Sequence, residues 1–339
     1  MPAFSGGAAA RSRPRAGVSE PGADERAPGL RDRFRGALVG AVVGDALGAP
    51  FEGHPGPVPA EHLGRLDDGG GTLRYSDDTA LTFALGESLL LRGGLDLDHL
   101  ATAFATTYER EPDRGYGAGT AQVLRRVAAG ADWRRTAAAQ FGGAGSFGNG
   151  AAMRVAPVAL HAWGTTADAA ELGRASAVVT HTHPEAVDAA GVQAVAVTMA
   201  LTDSSPWPRH LLDTVAASAT TAPLGAALAA LSRLAPDRSP AAVAALTGTG
   251  VAAVEAVPAA IAVVALNPDS FPDAVRFAIG LGGDTDTIAA MVGAISGARL
   301  GEGAVPETWR DRVEGVGEAV DLADRLAARA IGGGAPSRG

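Results

Sequence analysis

Residues 281–291 read LGGDTDTIAAM, so that Asp284, Thr285, Asp286 and Thr287 set four oxygen-bearing side chains in a row between a Gly282-Gly283 hinge and an apolar run. Two roles fit them. Asp284 or Thr285 caps the helix that follows, with acidic charge at the positive end of its dipole, or the oxygens are ligands. A second acidic helix start, Ser76-Asp77-Asp78-Thr79, precedes the apolar run 80–91. Ser76 reads as its N-cap, and two adjacent carboxylates are more than a cap needs. If the two starts face each other in a compact bundle, four carboxylates converge, and protons or cations must relieve their repulsion. The chain has no cysteine, so a cation would be held by oxygen or nitrogen, and oxygen ligands alone select Mg²⁺, Mn²⁺ or Ca²⁺ over zinc. The chemistry that suits such a site is hydrolysis at a binuclear metal centre.

Further candidates lie elsewhere. Asp45 and Glu52 are carboxylates in otherwise apolar surroundings, seven residues apart, with Pro50 expected to break the helix and leave Glu52 on a loop. Two glycine-rich segments, 111–119 (EPDRGYGAG) and 141–154 (FGGAGSFGNGAAMR), precede helices. The first reads as a connector. For the second, a backbone cradle for an anion and a tight turn fit equally. His181 and His183 are two residues apart with no HExxH around them, which disfavours a zinc pair and favours a capping or ligand-contacting role at a helix start. The Asp-x-Asp spacing at 284–286 is shared with the nucleophile motif of haloacid-dehalogenase-like phosphatases. That motif follows a buried strand early in its domain and works with a lysine. Here it follows FAIGLGG late in a chain that has no lysine at all, so the assignment fails. The missing lysine also excludes a Walker A phosphate loop and Schiff-base chemistry.

The elements that must position these groups are helices. Aromatics make up 5% of the 339 residues and apolar residues 47%, a composition that builds a large core from small side chains and suits close helix packing better than sheets. Gly36, Gly40, Gly44 and Gly48 recur every four residues within 31–52, and Gly293, Gly297 and Gly301 repeat the spacing near the other end. Each glycine costs a helix roughly 1 kcal/mol against alanine, so such a stripe implies that one backbone approaches another along that face. Residues 53–71 read as a long loop or flap, residues 248–266 as one buried helix, and residues 309–330 as the last helix. We expect an all-α, compact orthogonal helical bundle over residues 31–331, with the metal site between helix N-termini and no internal boundary. Residues 1–30 and 332–339 are expected to be disordered tails. The formal charge of −9 argues against a nucleic-acid surface as the main function. The sequence holds no run of about 18 uncharged apolar residues, and a cytoplasmic monomer is the expectation.

The blocks GALVGAVVGDALGAPFE, YSDDT, DRGYG, GSFGNGAAMRVAP, a Thr-His pair and GLGGDTDTIAAM, in this order over residues 34–300, resemble the ADP-ribosylglycohydrolase family, which includes the dinitrogenase-reductase-activating glycohydrolases and the crystallin J1 relatives. The resemblance implies two Mg²⁺ or Mn²⁺ ions, held by Ser76, Asp77 and Asp78 on one side and by Asp284, Asp286 and Thr287 on the other. It also implies hydrolysis at the anomeric carbon of ADP-ribose in a modified protein, a small ADP-ribosyl molecule or a nucleic-acid conjugate. Glu52 and Asp78 become the candidate acid/base residues. Gly115, Tyr116, Gly117 and Gly119 fall near the substrate. Gly145, Ser146, Phe147, Gly148 and Asn149 fall on the diphosphate loop, Phe141 beside the adenine and His181 against a ribose. Ser76 stands where relatives often have threonine and keeps the hydroxyl. Phe147 stands where some have tyrosine and keeps only the stacking face. A non-catalytic ADP-ribose-binding or crystallin-like structural protein is the alternative.

Overall fold

A computed structural model describes residues 23–67, 70–202, 207–234 and 239–332, with side chains from residue 29 onward. Seventeen α-helices and five short 3-10 helices occur among the described residues, and three isolated β-bridges are the extended pairings there. In order, the helices are α1 (Ala23–Gly48), α2 (Ala60–Gly64), α3 (Asp77–Arg92), α4 (Leu97–Arg110), α5 (Ala118–Ala128), α6 (Trp133–Ala138), α7 (Ala156–His161), α8 (Thr166–Ala177) and α9 (Pro184–Thr202). They continue with α10 (Arg209–Ser218), α11 (Ala222–Ala230), α12 (Pro240–Thr247), α13 (Ala253–Leu266), α14 (Phe271–Gly280), α15 (Thr285–Leu300), α16 (Glu307–Arg310) and α17 (Val316–Gly332). The all-α expectation holds. Residues 1–22 and 333–339, the larger part of the expected tails, lie outside the described residues; α1 itself starts at Ala23.

Among the described residues, four long helices are buried along most of their length: α1 from Gly36 on, α9, α13 and α15. A helix that is apolar all round can only be stable if other elements cover it on every side. These four pack on one another, and the remaining helices sheathe them. Residues 29–51 are long and apolar enough to cross a membrane by length and composition, but most of this segment is buried inside the fold. That burial marks a core helix.

The glycine stripe on α1 faces α15, as its spacing implies. A Cβ at Gly36 would overlap the carbonyl oxygen of Gly297, one at Gly40 that of Gly293, and one at Gly44 that of Ala289. At Gly48 it would fall 2.6 Å from Cα of Asp286. Gly293 and Gly297 return the contact onto Gly40 and Gly36, so two backbones touch along about three helical turns. Gly301 continues this seam: its backbone carbon lies 2.6 Å from where a Cβ on Gly36 would sit, and at φ 83° it also closes the C-terminus of α15. Thr285 adds a polar pin by donating Oγ1–H to the Gly48 carbonyl at 2.9 Å, satisfying one of the free carbonyls at the end of α1.

Three sequence assignments change. The segment 53–71 is not loop throughout but contains α2, and its beginning is bridged to Gly283 through His54. Residues 248–252 form a loop ahead of α13, because Glu255 turns back to accept the Gly250 N–H at 2.8 Å. The last helix is two, α16 and α17, parted by a turn in which Gly315 has φ 82°. α3 is buried on two sides: Phe83 enters the main core, while Leu81, Leu85 and Leu89 enter a second core with α4 and α5.

The seam yields a test whose sign is decisive. Alanine for glycine on an exposed helix face gains roughly 1 kcal/mol, whereas an extra methyl in a packed contact costs about 1–3 kcal/mol. Gly44→Ala and Gly40→Ala should therefore each lower the stability measured by chemical denaturation, and a gain would show that the helices do not touch there.

Candidate active site

Asp45 is fully buried on α1 and accepts four hydrogen bonds from the start of α3. The Ser76 N–H lies 3.0 Å from both of its oxygens, while the Thr79 N–H and Oγ1–H reach Oδ2 at 3.1 and 2.6 Å. The carboxylate of one helix thus closes the N-terminus of another. Ser76 fills the expected cap position as well, its Oγ accepting from the Asp78 N–H at 3.2 Å. The sequence alone marks Asp45 as an acid in apolar surroundings without giving it this task.

At the other start, Asp284 occupies the N-cap position of α15 but makes no capping hydrogen bond with its side chain. Its Oδ2 instead accepts from Asn149 Nδ2 at 2.5 Å. Capping therefore does not account for Asp284. The two acidic starts do face each other, with Thr287 Oγ1 3.5 Å from Asp78 Oδ1. Asp78 Oδ2 is buried with no hydrogen-bond partner. Glu52, exposed on the turn after α1, completes a group with Asp284 and Asp286 in which one oxygen from each lies within 4.8 Å of the others.

These carboxylates open onto a cavity of about 420 Å³. Of the residues singled out from sequence, Glu52, Asp77, Asp78, Gly115, Gly117, Gly119, Phe141, Ser146, Phe147, Gly148, Asn149, His181, Asp284, Asp286 and Thr287 line it. Ser76, Tyr116 and Gly145 do not reach the wall. Tyr116 packs edge-on against Tyr108 at 4.9 Å, and Gly145, at φ 78°, turns the chain against Thr182 and the His183 N–H. His183 accepts the Glu185 N–H at Nδ1 at the start of α9, the capping role expected for one of the two histidines. Gly150, from the glycine-rich segment 141–154, lines the cavity too, and so do Thr120, Met153 and Val251, to which the sequence assigns no role. Reading 248–266 as one helix hides Val251, although Gly248 and Gly250 just before it signal a loop.

The mouth is aromatic and exposed. Phe141 and Phe147 sit 5.3 Å apart with tilted rings, 58% and 41% exposed. Phe141 is the non-glycine residue with positive φ among the described residues (φ 50°), a conformation that bulky residues adopt at a cost. Gly119 lies under Gln140 Oε1, which would collide with any Cβ there.

Electrostatics inside are severe. Burial, with the charge of Asp45 behind it, raises the Asp77 carboxyl to about 8. Burial, then Asp284 and Glu52, raises Asp286 to about 9. Asp78 is pushed well above the carboxylate range by burial and by Asp45, Asp286 and Asp77. Asp45 rises to about 6 through burial, against the pull of its hydrogen bonds from Thr79 and Ser76. Glu52 is raised by partial burial and by Asp284. A fully buried cation, Arg154, faces this group and is itself lowered to about 9 by burial, which Asp77 and Asp78 oppose. One cation does not balance so many acids, so without metal Asp77, Asp78 and Asp286 favour their protonated forms. An unpartnered carboxylate oxygen, a threonine hydroxyl and a three-carboxylate group, all hard donors, fit an oxygen-seeking divalent cation.

Residues 26–336 match the family described as ADP-ribosylglycohydrolase. The chain is 39% identical over 335 residues to "ADP-ribosylhydrolase ARH3" of Danio rerio, covering 88% of this chain and 90% of that protein. To the Homo sapiens protein of the same name it is 36% identical, covering 87% and 92%. To "ADP-ribosyl-[dinitrogen reductase] glycohydrolase" of Rhodospirillum rubrum it is 37% identical over 164 residues, 46% of this chain and 54% of that one. A solved structure titled "ADP-ribosylglycohydrolase-related protein complex" superposes with a TM-score of 0.69 at 31% identity, covering 88% of this chain and 98% of that one.

The raised carboxyl values fix the direction of a pH effect. Asp77 and Asp286 bind their protons more tightly folded than unfolded (ordinary value 3.8). Their contribution to stability is full below about pH 4 and is lost as pH rises through about 8 to 9. The metal-free protein in EDTA should therefore melt at a lower temperature at about pH 9 than at about pH 7. Excess Mg²⁺ should remove the drop, because the cation takes the place of the protons. A melting temperature in EDTA that does not fall across this range would contradict these values.

Proposed function

The chain belongs to the ADP-ribosylglycohydrolase family and is a hydrolase of that family, and we propose that it cleaves the glycosidic bond at the anomeric carbon of ADP-ribose, releasing ADP-ribose from a modified protein side chain or a related conjugate. The observation that carries this reading is the meeting of Thr287 with Asp78 inside a cavity that has an aromatic mouth. It puts a cation-binding floor and a base-stacking rim in one pocket.

Asp77 and Asp78 on one side, and Asp284, Asp286 and Thr287 on the other, would hold two Mg²⁺ or Mn²⁺ ions, while Ser76, which does not reach the cavity wall, caps α3 behind them. When bound, the ions supply positive charge that neutralises the carboxylates and orients hydroxyl oxygens of the substrate. The remaining work falls to the chain. Phe141 and Phe147 are placed to stack a purine at the mouth. Backbone of 146–150, held by the Asn149 N–H to the Val251 carbonyl at 2.9 Å, borders the cavity between mouth and floor, where a diphosphate would lie. Asn149 is more than a loop residue, because its side chain also fixes Asp284.

Glu52 is the carboxylate with solvent access, and its raised affinity for a proton suits an acid/base group that exchanges with water. Asp78 is fully enclosed beside Thr287, a setting that suits a fixed ligand. We therefore assign proton handling to Glu52. As the bond to the anomeric carbon breaks, positive charge develops on the sugar, and the surrounding carboxylates favour it. The chain supplies no lysine or cysteine nucleophile, consistent with attack by water.

Asp284→Ala and Asp286→Ala should each reduce release of free ADP-ribose from a modified protein by at least about 100-fold and weaken Mg²⁺ binding. EDTA should do the same to the unaltered protein. Turnover that survives EDTA and both substitutions would overturn the proposal, and ADP-ribose binding without release would make the protein a binding module. A panel of arginine-, serine-, O-acetyl- and nucleic-acid-linked ADP-ribose, compared by release rate, assigns the linkage.

A further inference from the structure

His181 follows α8 in a tight turn, 3% exposed, with its own N–H bonded to the Ala177 carbonyl at 2.9 Å. Its ring borders the cavity. The Nε2 side faces the 148–150 loop: a Cβ on Gly150 would lie 3.1 Å from Nε2, and one on Gly148 3.5 Å. Glycines at both positions leave the nitrogen open, and among the described residues Nε2 has no protein hydrogen-bond partner. The other nitrogen, Nδ1, lies 2.7 Å from Thr180 Oγ1.

That distance alone leaves open which atom carries the proton. Arg154 decides it. Its Nη2 stands 2.8 Å from the same Thr180 oxygen, and a guanidinium can only donate. Arg154 is 1% exposed and its guanidinium packs over the Phe104 ring, 4.4 Å from the centroid, so it is enclosed beside Thr180. Thr180 Oγ1 therefore accepts from Arg154 and must place its own proton on another acceptor. His181 Nδ1 is the acceptor within reach among the described residues. An N–H at Nδ1 would leave the buried threonine proton without a partner, an unfavourable state for a desolvated hydroxyl.

We propose that Arg154 and Thr180 form a one-way donor relay that holds His181 as the Nε2–H tautomer, so that the ring presents a fixed hydrogen-bond donor to an oxygen acceptor of the bound ligand and not a proton-accepting nitrogen. The clause about the ligand rests on the function proposed above; the tautomer does not. Burial and the Arg154 charge lower His181 to about 3, which keeps the ring neutral over the working range and agrees with a donor that does not titrate. Thr180 and Arg154 are thus positioning residues, acting through His181. Gln140 secures the relay from outside the cavity by donating Nε2–H to the Thr180 carbonyl at 2.6 Å.

The test reads the proton directly. In ligand-free protein labelled with ¹⁵N-histidine, at about pH 7.5, long-range ¹H–¹⁵N correlation should show His181 with a protonated Nε2 and a bare Nδ1. The signal is assigned by its loss in His181→Gln. A protonated Nδ1 overturns the relay. For Thr180→Ser, which keeps the hydroxyl, affinity for free ADP-ribose in Mg²⁺ should stay within about two-fold. For Thr180→Val, which removes it and nearly keeps the shape, affinity should fall by about five-fold or more, with a rise in KM exceeding any fall in kcat. Valine binding as tightly as threonine would also overturn the relay. If unaltered protein shows the Nε2–H tautomer yet binds no ADP-ribose, the proposed function fails and the relay stands.

Discussion

Backbone contact between α1 and α15 is the constraint on which the site depends. Only glycine lets two helices come so close, and the stripe at 36, 40, 44 and 48 extends this contact to the first turn of α15, where Gly48 meets Asp286. Three consequences follow from one helix. Asp45, one residue past Gly44 in the stripe, reaches sideways and closes the N-terminus of α3. Thr285 ties α15 to the last carbonyl of α1. Glu52 emerges just beyond, next to Asp284 and Asp286. The two acidic starts meet because the same helix holds both.

The protein keeps this geometry at an electrostatic cost. Several carboxylates are buried within reach of one another, and the chain answers with a single enclosed arginine, a set of threonine and backbone donors and, in the absence of metal, protons. Such an arrangement is a poor way to stabilise a core. It is a good way to prepare a pocket in which a divalent cation gains by replacing protons. Local rules break here as well: Asp284 sits at a cap position without capping, and Phe141 takes a left-handed conformation at the rim. Departures from local preference gather where function demands them.

Much of this was legible in the sequence, and the rest was not, for reasons of range. The glycine period announced close helix contact because glycine weakens a helix and repays that cost where two backbones touch, and the acidic helix starts announced hard-oxygen chemistry by residue type alone. Ser76 could be read as a cap from its immediate neighbours. By contrast, the bond from Asn149 to Asp284 spans 135 residues, and that from Asp45 to Thr79 joins two helices. Neither leaves a periodic trace. Arg154 looked like one arginine of many, since nothing local distinguishes a buried guanidinium from an exposed one. The resemblance places Tyr116 and Gly145 beside the substrate, but packing holds Tyr116 against Tyr108 and Gly145 against Thr182, away from the cavity wall.

The claim at the centre of this account is that one cation-binding floor is built jointly by the starts of α3 and α15. Anomalous diffraction from crystals soaked in Mn²⁺ tests it most directly, because the metal positions are seen without reference to activity. The account predicts manganese peaks in the cavity bounded by carboxylate oxygens from both Asp77–Asp78 and Asp284–Asp286. Manganese held by one pair alone, or found only elsewhere on the protein, would contradict it.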